Sequence, residues 1–362
     1  MAFKFNFDLP ADEEEDIRIG NEDRMDVSAG AGDEASSNQS RIPAQSHTLN
    51  EMISKLPPHI AYSTLTIPIS SSKIINIPRR ELFDVKMQLM TEDTMSTDQQ
   101  KFSAAFTDED IRTNTYEGGL KSWECSSDLV KQLAQDITAW GNSPRILELG
   151  CGTALPSCFI LQSLLSSPDT PPHPVHLTVA DYNIDVLRLV TLPNLILAYL
   201  QNTPHLSRQS NMEGENENEN EADGEPREIE LSPEILASFL STLSSKKITI
   251  SFLSGSWSPA MISLIHGVEY PSTNKEKMCN LILASETIYS PESIPLFVDM
   301  IEYTLKEGTG RGYIAAKDIY FGVGGSVKDF VAFVEGKGWR WEVVREEKRG
   351  VGVSRVVGVV CK

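Results

Sequence analysis

Residues 145–156 read RILELGCGTALP. Ile146, Leu147 and Leu149 make a short apolar run of the kind that forms a buried strand, Gly150 and Gly152 interrupt it, and helix-forming residues follow from 154. A strand that turns through glycines into a helix is how an open α/β sheet offers backbone to a ligand at the carboxyl edge of its strands. A dinucleotide fingerprint asks for a small residue at the sixth position of GxGxxG, but Leu155 stands there, so a pyrophosphate is not indicated. Glu148, two residues before the first glycine, suits a positively charged ligand such as S-adenosylmethionine, with its ammonium and sulfonium groups. The plain alternative is a tight structural turn.

Working outward, further apolar runs follow at 177–181 (LTVAD), 247–253 (KITISFL), 280–285 (NLILAS) and 312–317 (GYIAAK). Helical patterns at 154–165, 184–200, 233–243, 292–305 and 326–337 separate most of them. Short apolar strands alternating with helices predict a parallel sheet covered on both faces. The β-rich runs 339–347 and 351–360, joined by Lys-Arg-Gly, predict an antiparallel hairpin that closes it. The expected fold is α/β: a seven-stranded, mostly parallel sheet of the class I S-adenosylmethionine methyltransferase, Rossmann-like type with a C-terminal antiparallel hairpin.

Upstream, residues 49–56 read as a short helix and 62–69 as an extended stretch. From 74 to 90, Leu82, Val85, Leu89 and Met90 fall on a helical stripe. Residues 41–117 are therefore expected to be an N-terminal appendage to a main domain at 118–362. Charge marks the remaining divisions. The chain has 51 Asp and Glu against 32 Lys and Arg, a formal charge of −19. Residues 1–40 and 211–230 each carry a net −8. Both stretches are poor in aliphatic residues and rich in Asn, Glu, Gly and Asp, which cannot repay the entropy of ordering. The expectation is a disordered acidic tail at 1–40 and a disordered acidic insert at about 205–230.

That balance argues against nucleic-acid or anionic-membrane binding and for a basic partner. Five cysteines with no CxxC pair, and six scattered histidines with no HxxxH spacing, suggest neither a disulfide framework nor a metal site. No signal-peptide pattern opens the chain, so the expected location is cytoplasm and nucleus. A monomer is the default.

Three further segments end strands at the same edge. Asp181 closes the second strand, where a carboxylate can accept both hydroxyls of a ribose. Gly255, Ser256 and Trp257 follow the third, with Trp257 placed to cover an adenine face. Ser285, Glu286 and Tyr289, in SETIYSP, follow the fourth, where a transferred group would emerge. Each has an ordinary structural alternative in a helix cap, a packed aromatic or a turn before Pro291.

Taken together, GLKSWECSSDL (119–129), ILELGCGTALP, VADYNIDVLRLVTLPNL (179–195), SGSWS, LILASETIYSPE and KDIYFGVGGSVKDF (317–330) resemble one family. It is the seven-strand protein-histidine N-methyltransferases that modify a histidine of large-subunit ribosomal protein three. The resemblance runs from Gly118 to the C-terminus and, more loosely, upstream. Carried over by position, it implies cofactor contacts from Ser122, Trp123, Glu124, Cys125, Ser126, Glu148, Gly150, Gly152, Asp181, Tyr182, Gly255, Ser256, Trp257 and Ser285. It also implies a basic ribosomal protein as substrate. The chain departs where relatives carry a third small glycine: Thr153-Ala154 stands there and is expected to narrow the cofactor's approach.

Glu286 is the candidate acceptor of the imidazole proton and Tyr289 the candidate channel lining. Two other readings stay open on sequence: a lysine methyltransferase of the same fold, and a non-catalytic acidic binding partner of a ribosomal protein.

Overall fold

The computed structural model describes residues 42–93, 119–203, 226–347 and 353–362. Its strands are β1 (Gln45–His47), β2 (His59–Ser70), β3 (Lys73–Arg80), β4 (Arg145–Leu149), β5 (Val175–Asp181), β6 (Arg227–Glu230), β7 (Ile248–Ser254), β8 (Leu281–Ser285), β9 (Arg311–Lys317), β10 (Arg340–Glu347) and β11 (Arg355–Cys361). The main sheet runs β1-β7-β5-β4-β8-β9-β11-β10. Five central strands are parallel, and β11 runs antiparallel to both β9 and β10. The seven expected strands are present, with an eighth added: β1 pairs antiparallel with β7 at the outer edge.

The alternation of side chains along each central strand explains the two covered faces. Ile146, Leu281, Leu283 and Tyr313 pack toward helices Glu124–Gln135, Leu155–Ser166 and Leu192–Gln201. Leu147, Leu149, Ile282 and Ile314 pack toward Pro259–His266, Ile294–Thr304 and Val327–Gly336. Each such fully buried aliphatic contributes on the order of 1.5–3 kcal/mol. The stretch Ile184–Gln201 is long and apolar enough to cross a membrane by composition, yet 78% of it is buried here, as befits a core helix. Helix Pro259–His266 is absent from the sequence expectation. Ser258 caps it by accepting from the Met261 N–H at 3.3 Å, and Pro259 takes the first helical position.

Residues 74–80 correct the helical reading of 74–90. They form β3, the edge of a second sheet ordered β3-β2-β6, and the helix begins only at Leu82. Pro78 gives the reason, because in a helix interior it would clash with the preceding turn, whereas an edge strand tolerates its missing N–H. Of the insert read as disordered, residues 227–230 are the strand β6, paired with β2. Residues 204–225, like the tail at 1–40, lie outside the described residues.

Register brings the functional segments together. Leu149 lies beside Ala180 and Ala284, Asp181 beside Ser254, and Ser285 beside Ala315, so five strands end along one line.

Candidate functional site

A cavity of about 490 Å³ opens along that line, a volume suited to a nucleoside-sized ligand. Gly255, Ser256 and Trp257 line it after β7, Asp181 and Tyr182 after β5, and Gly150 to Thr153 after β4. Ser285, Glu286, Thr287 and Tyr289 line it after β8, and Lys317 and Tyr320 at and after β9. Trp123 and Ser126 enter from the start of helix Glu124–Gln135.

The glycine loop requires its glycines. Gly150 and Gly152 have φ of 61° and 51°. A Cβ at Gly150 would fall 2.8 Å from Thr287 Cγ2, and one at Gly152 would fall 3.2 Å from the Gly119 backbone. Asp181 fixes the loop from the neighbouring strand, its Oδ2 accepting from the Gly152 N–H at 2.9 Å and its Oδ1 from the Asn183 N–H at 3.1 Å. Ala154 also sits in the left-handed region, φ 52°, at a cost of roughly 1–2 kcal/mol that a glycine would avoid. It is fully buried and does not line the cavity, which corrects the expectation that Thr153-Ala154 crowds the ligand through both residues. Only Thr153 faces the space.

Behind the loop, the residues of TLPN hold its carbonyls. Thr191 Oγ1 donates to the Gly152 carbonyl at 2.6 Å, and Asn194 Nδ2 donates to the Thr153 carbonyl at 2.8 Å. Pro193 has no N–H to offer the Leu189 carbonyl one turn back, and Arg80 Nη1 donates there instead at 2.9 Å. The Arg80 backbone N–H donates to Asn194 Oδ1 at 2.7 Å, and its buried guanidinium pairs with Asp84 at 2.6 Å. The end of β3 is thus a brace for the ligand loop rather than a passive attachment.

The β8 side differs in kind. Glu286 has φ 59°, a left-handed conformation costly for a side-chain-bearing residue and one that clusters at functional sites. Its side chain is 9% exposed, with Lys317 Nζ 3.6 Å from Oε1. Neither carboxylate oxygen has a hydrogen-bond partner, nor does the hydroxyl of Thr287. Lys317 Nζ also stands 4.8 Å over the Trp123 ring. The Cys125 thiol and the Tyr320 hydroxyl adjoin Glu286, and burial first, then the Glu286 charge, pushes both far up, so neither competes with it as a base.

Twelve of the sixteen residues singled out in sequence line this cavity: Trp123, Ser126, Gly150, Gly152, Asp181, Tyr182, Gly255, Ser256, Trp257, Ser285, Glu286 and Tyr289. Four do not. Glu148 turns away and accepts from both the N–H and the hydroxyl of Ser157 in the first turn of helix Leu155–Ser166. Burial pushes its carboxyl up to about 8, the Asp181 charge adding to the rise against the pull of Ser157, so it is no counter-ion for a cationic ligand at neutral pH. Ser122 is tied to the Thr153 hydroxyl at 2.9 Å, Glu124 points outward to Arg355 at 3.4 Å, and Cys125 is fully buried. The Ser256 hydroxyl is likewise committed, to the Ile42 carbonyl at 3.0 Å.

Lys317, Tyr320 and Thr287 were not singled out as site residues. The first two belong to KDIYFGVGGS and the third to SETIY, motif membership being their sequence signal.

No protein-family model matches the chain. It is 38% identical over 266 residues to Histidine protein methyltransferase 1 of Saccharomyces cerevisiae, covering 72% of this chain and 68% of that one. To the Schizosaccharomyces pombe protein of the same name it is 34% identical over 289 residues, covering 80% and 76%. Among solved structures, a magnesium protoporphyrin IX methyltransferase from Synechocystis PCC 6803 with bound SAH matches at 8% identity and TM-score 0.34, over 76% of this chain and 100% of that one. The fold assignment rests on the strand order above. Identity at these levels, over most of both chains, is what common descent leaves: this chain belongs to the histidine protein methyltransferase 1 family.

Proposed function

We propose that the chain methylates a ring nitrogen of a histidine in a basic protein of the large ribosomal subunit, in the cytoplasm or nucleus. The observation that carries this reading is Glu286: a carboxylate held in a strained backbone conformation, nearly buried, paired with the Lys317 ammonium at 3.6 Å but with neither oxygen in a hydrogen bond at the edge of the cavity. A buried carboxylate without hydrogen bonds is costly unless a donor arrives. An imidazole N–H is such a donor.

The methyl donor in this reading is S-adenosylmethionine, and the cavity's chemistry fits it. Asp181, Tyr182, Gly255 and Trp257, with the backbone of Gly150 and Gly152, are the residues that would hold it, combining an acidic acceptor, an aromatic face and close-approach backbone. When bound, it supplies a methyl carbon activated by a sulfonium sulfur. The protein's part is position and proton control. A neutral imidazole, the main form above pH 7, has one lone pair and one N–H. Glu286 accepting that N–H selects the tautomer whose other nitrogen faces the methyl group, and then takes the proton released as the ring is alkylated. The Lys317 ammonium offsets the cost of the buried carboxylate, and Tyr289 lines the approach.

The net charge supports a basic substrate, since the two acidic segments attract a Lys/Arg-rich protein and raise its encounter rate. The test is transfer of labelled methyl from S-adenosylmethionine into an unmethylated large-subunit protein fraction, followed by acid hydrolysis and separation of amino acids. Label in methylhistidine on one large-subunit protein is expected. Label in methyl-lysine would overturn the acceptor assignment, and a tight complex with no label would return the chain to the binding-partner reading.

A further inference from the structure

On the β9 side the cavity mouth is bordered by the turn at 318–325, which holds apolar side chains out in water. Ile319 is 51% exposed, Phe321 78% and Val323 40%, while Tyr320 between them is 8% exposed. The turn is well fixed. The Tyr320 N–H donates to the Gly325 carbonyl at 2.9 Å, the Gly324 N–H to the Tyr320 carbonyl at 3.0 Å, and the Gly325 N–H to the Tyr289 carbonyl at 2.9 Å. A Cβ on Gly325 would sit 2.4 Å from that Tyr289 oxygen, so glycine is required for the turn to lock onto the segment carrying Glu286.

An aromatic ring that a pinned turn keeps in solvent adds nothing to folding, and clustered exposed apolar groups mark interaction surfaces. The same three side chains line the cavity, together with Leu296 and Val353. They lie beyond β8 and β9, whereas the residues suited to the nucleoside lie after β4, β5 and β7. Glu286 and this rim line one and the same cavity. Charges around the turn alternate in sign, with Lys317, Asp318, Lys328 and Asp329, so attraction here is apolar. A second copy of this chain seated on the patch would block the mouth that the patch lines.

We propose that the 318–325 turn is the docking surface for the protein substrate, with Phe321 and Ile319 seating an apolar or aromatic side chain that neighbours the target histidine. This deepens the reading above and rests on its claim that the acceptor is a protein.

The test compares native protein with Phe321→Ser and Phe321→Leu, measuring initial rates of labelled methyl transfer into the unmethylated large-subunit fraction at subsaturating substrate. Affinity for S-adenosylhomocysteine is measured in parallel by calorimetry. Losing a seated ring is expected to lower the Phe321→Ser rate roughly tenfold or more, chiefly through KM, with Phe321→Leu keeping most of it. Affinity for S-adenosylhomocysteine should stay within about twofold, because Phe321 lies outside the nucleoside side. A Phe321→Ser rate within about twofold of native would overturn the proposal, as would a matching loss of cofactor affinity. Hydrolysis of the labelled product reports separately on the acceptor: methyl-lysine sinks the histidine assignment and leaves the docking result standing. No label with native protein removes the protein acceptor and this surface with it.

Discussion

The two sides of the cavity are finished to different degrees. After β4, β5 and β7, the polar groups at the glycine loop are joined: Asp181 to Gly152 and Asn183, Thr191 to Gly152, Asn194 to Thr153, and Arg80 to Asn194 and Leu189. After β8, Glu286 and Thr287 keep buried oxygens outside any hydrogen bond, with Lys317 Nζ 3.6 Å from Glu286 Oε1, and Glu286 holds a left-handed backbone as well. Glu148 Oε1 and Asn183 Nδ2, on the glycine-loop side, are also buried without a hydrogen bond, but neither residue lines the cavity; among the described residues that do, Glu286 and Thr287 hold the buried side-chain atoms left unsatisfied. A side that binds the same cofactor in every cycle gains from rigidity set in advance. A side that must take up a proton from an incoming ring needs an acceptor that folding has not already used.

Breaking the brace should hurt binding and stability together. Asn194→Ala orphans the Arg80 N–H and the Thr153 carbonyl, both in buried hydrogen bonds, which costs about 2–4 kcal/mol by the usual penalty for unsatisfied buried groups. The expected outcome is a fall in thermal midpoint and a roughly tenfold weaker Kd for S-adenosylhomocysteine by calorimetry. Thr191→Val, losing the short bond to the Gly152 carbonyl together with the longer contacts to the Val186 carbonyl and the Cys151 thiol, should show the same pattern at about 1 kcal/mol. If cofactor affinity is untouched while stability falls, the brace is merely structural.

A smaller effect concerns Glu148, which sequence reading put in the site and the fold puts behind it. Its carboxyl is raised from the ordinary 4.5 to about 8, so across that window the folded chain keeps a proton that the unfolded chain releases. Native stability should therefore decline as pH rises from about 4.5 toward 8 and level off above, by at most about 1.4 kcal/mol per pH unit. Glu148→Gln cannot ionise and should escape the decline. Melting curves at pH 5, 6, 7 and 8 are expected to show a midpoint gap that widens with pH in favour of the variant. A constant gap would place the charge of Glu148 elsewhere.

These two cases also show where legibility ended. The strands Arg145–Leu149 and Leu281–Ser285 were readable because apolar runs bounded by turns carry their own signal. Gly150, Gly152 and Asp181 were readable as a loop and its neighbour at one sheet edge. The side to which Glu148 turns was not, because residue type does not specify orientation at a strand end. Arg80 was hidden for another reason: its partners are 109 and 114 residues away, and no local periodicity marks such a pairing. β1 and β6 are three and four residues long and exist only through strands brought to them by the fold. Lys317 belongs to a readable motif, yet its closeness to Glu286 and Trp123 is a tertiary fact.

The contrast between the two sides comes down to Glu286. Its most direct test is Glu286→Gln, assayed for turnover under saturating cofactor and protein substrate and, separately, for S-adenosylhomocysteine affinity. A proton acceptor acting in the transition state predicts a fall in kcat of about 100-fold or more with Kd within about twofold of native. Turnover preserved in the glutamine variant, with cofactor still bound, would contradict the assignment.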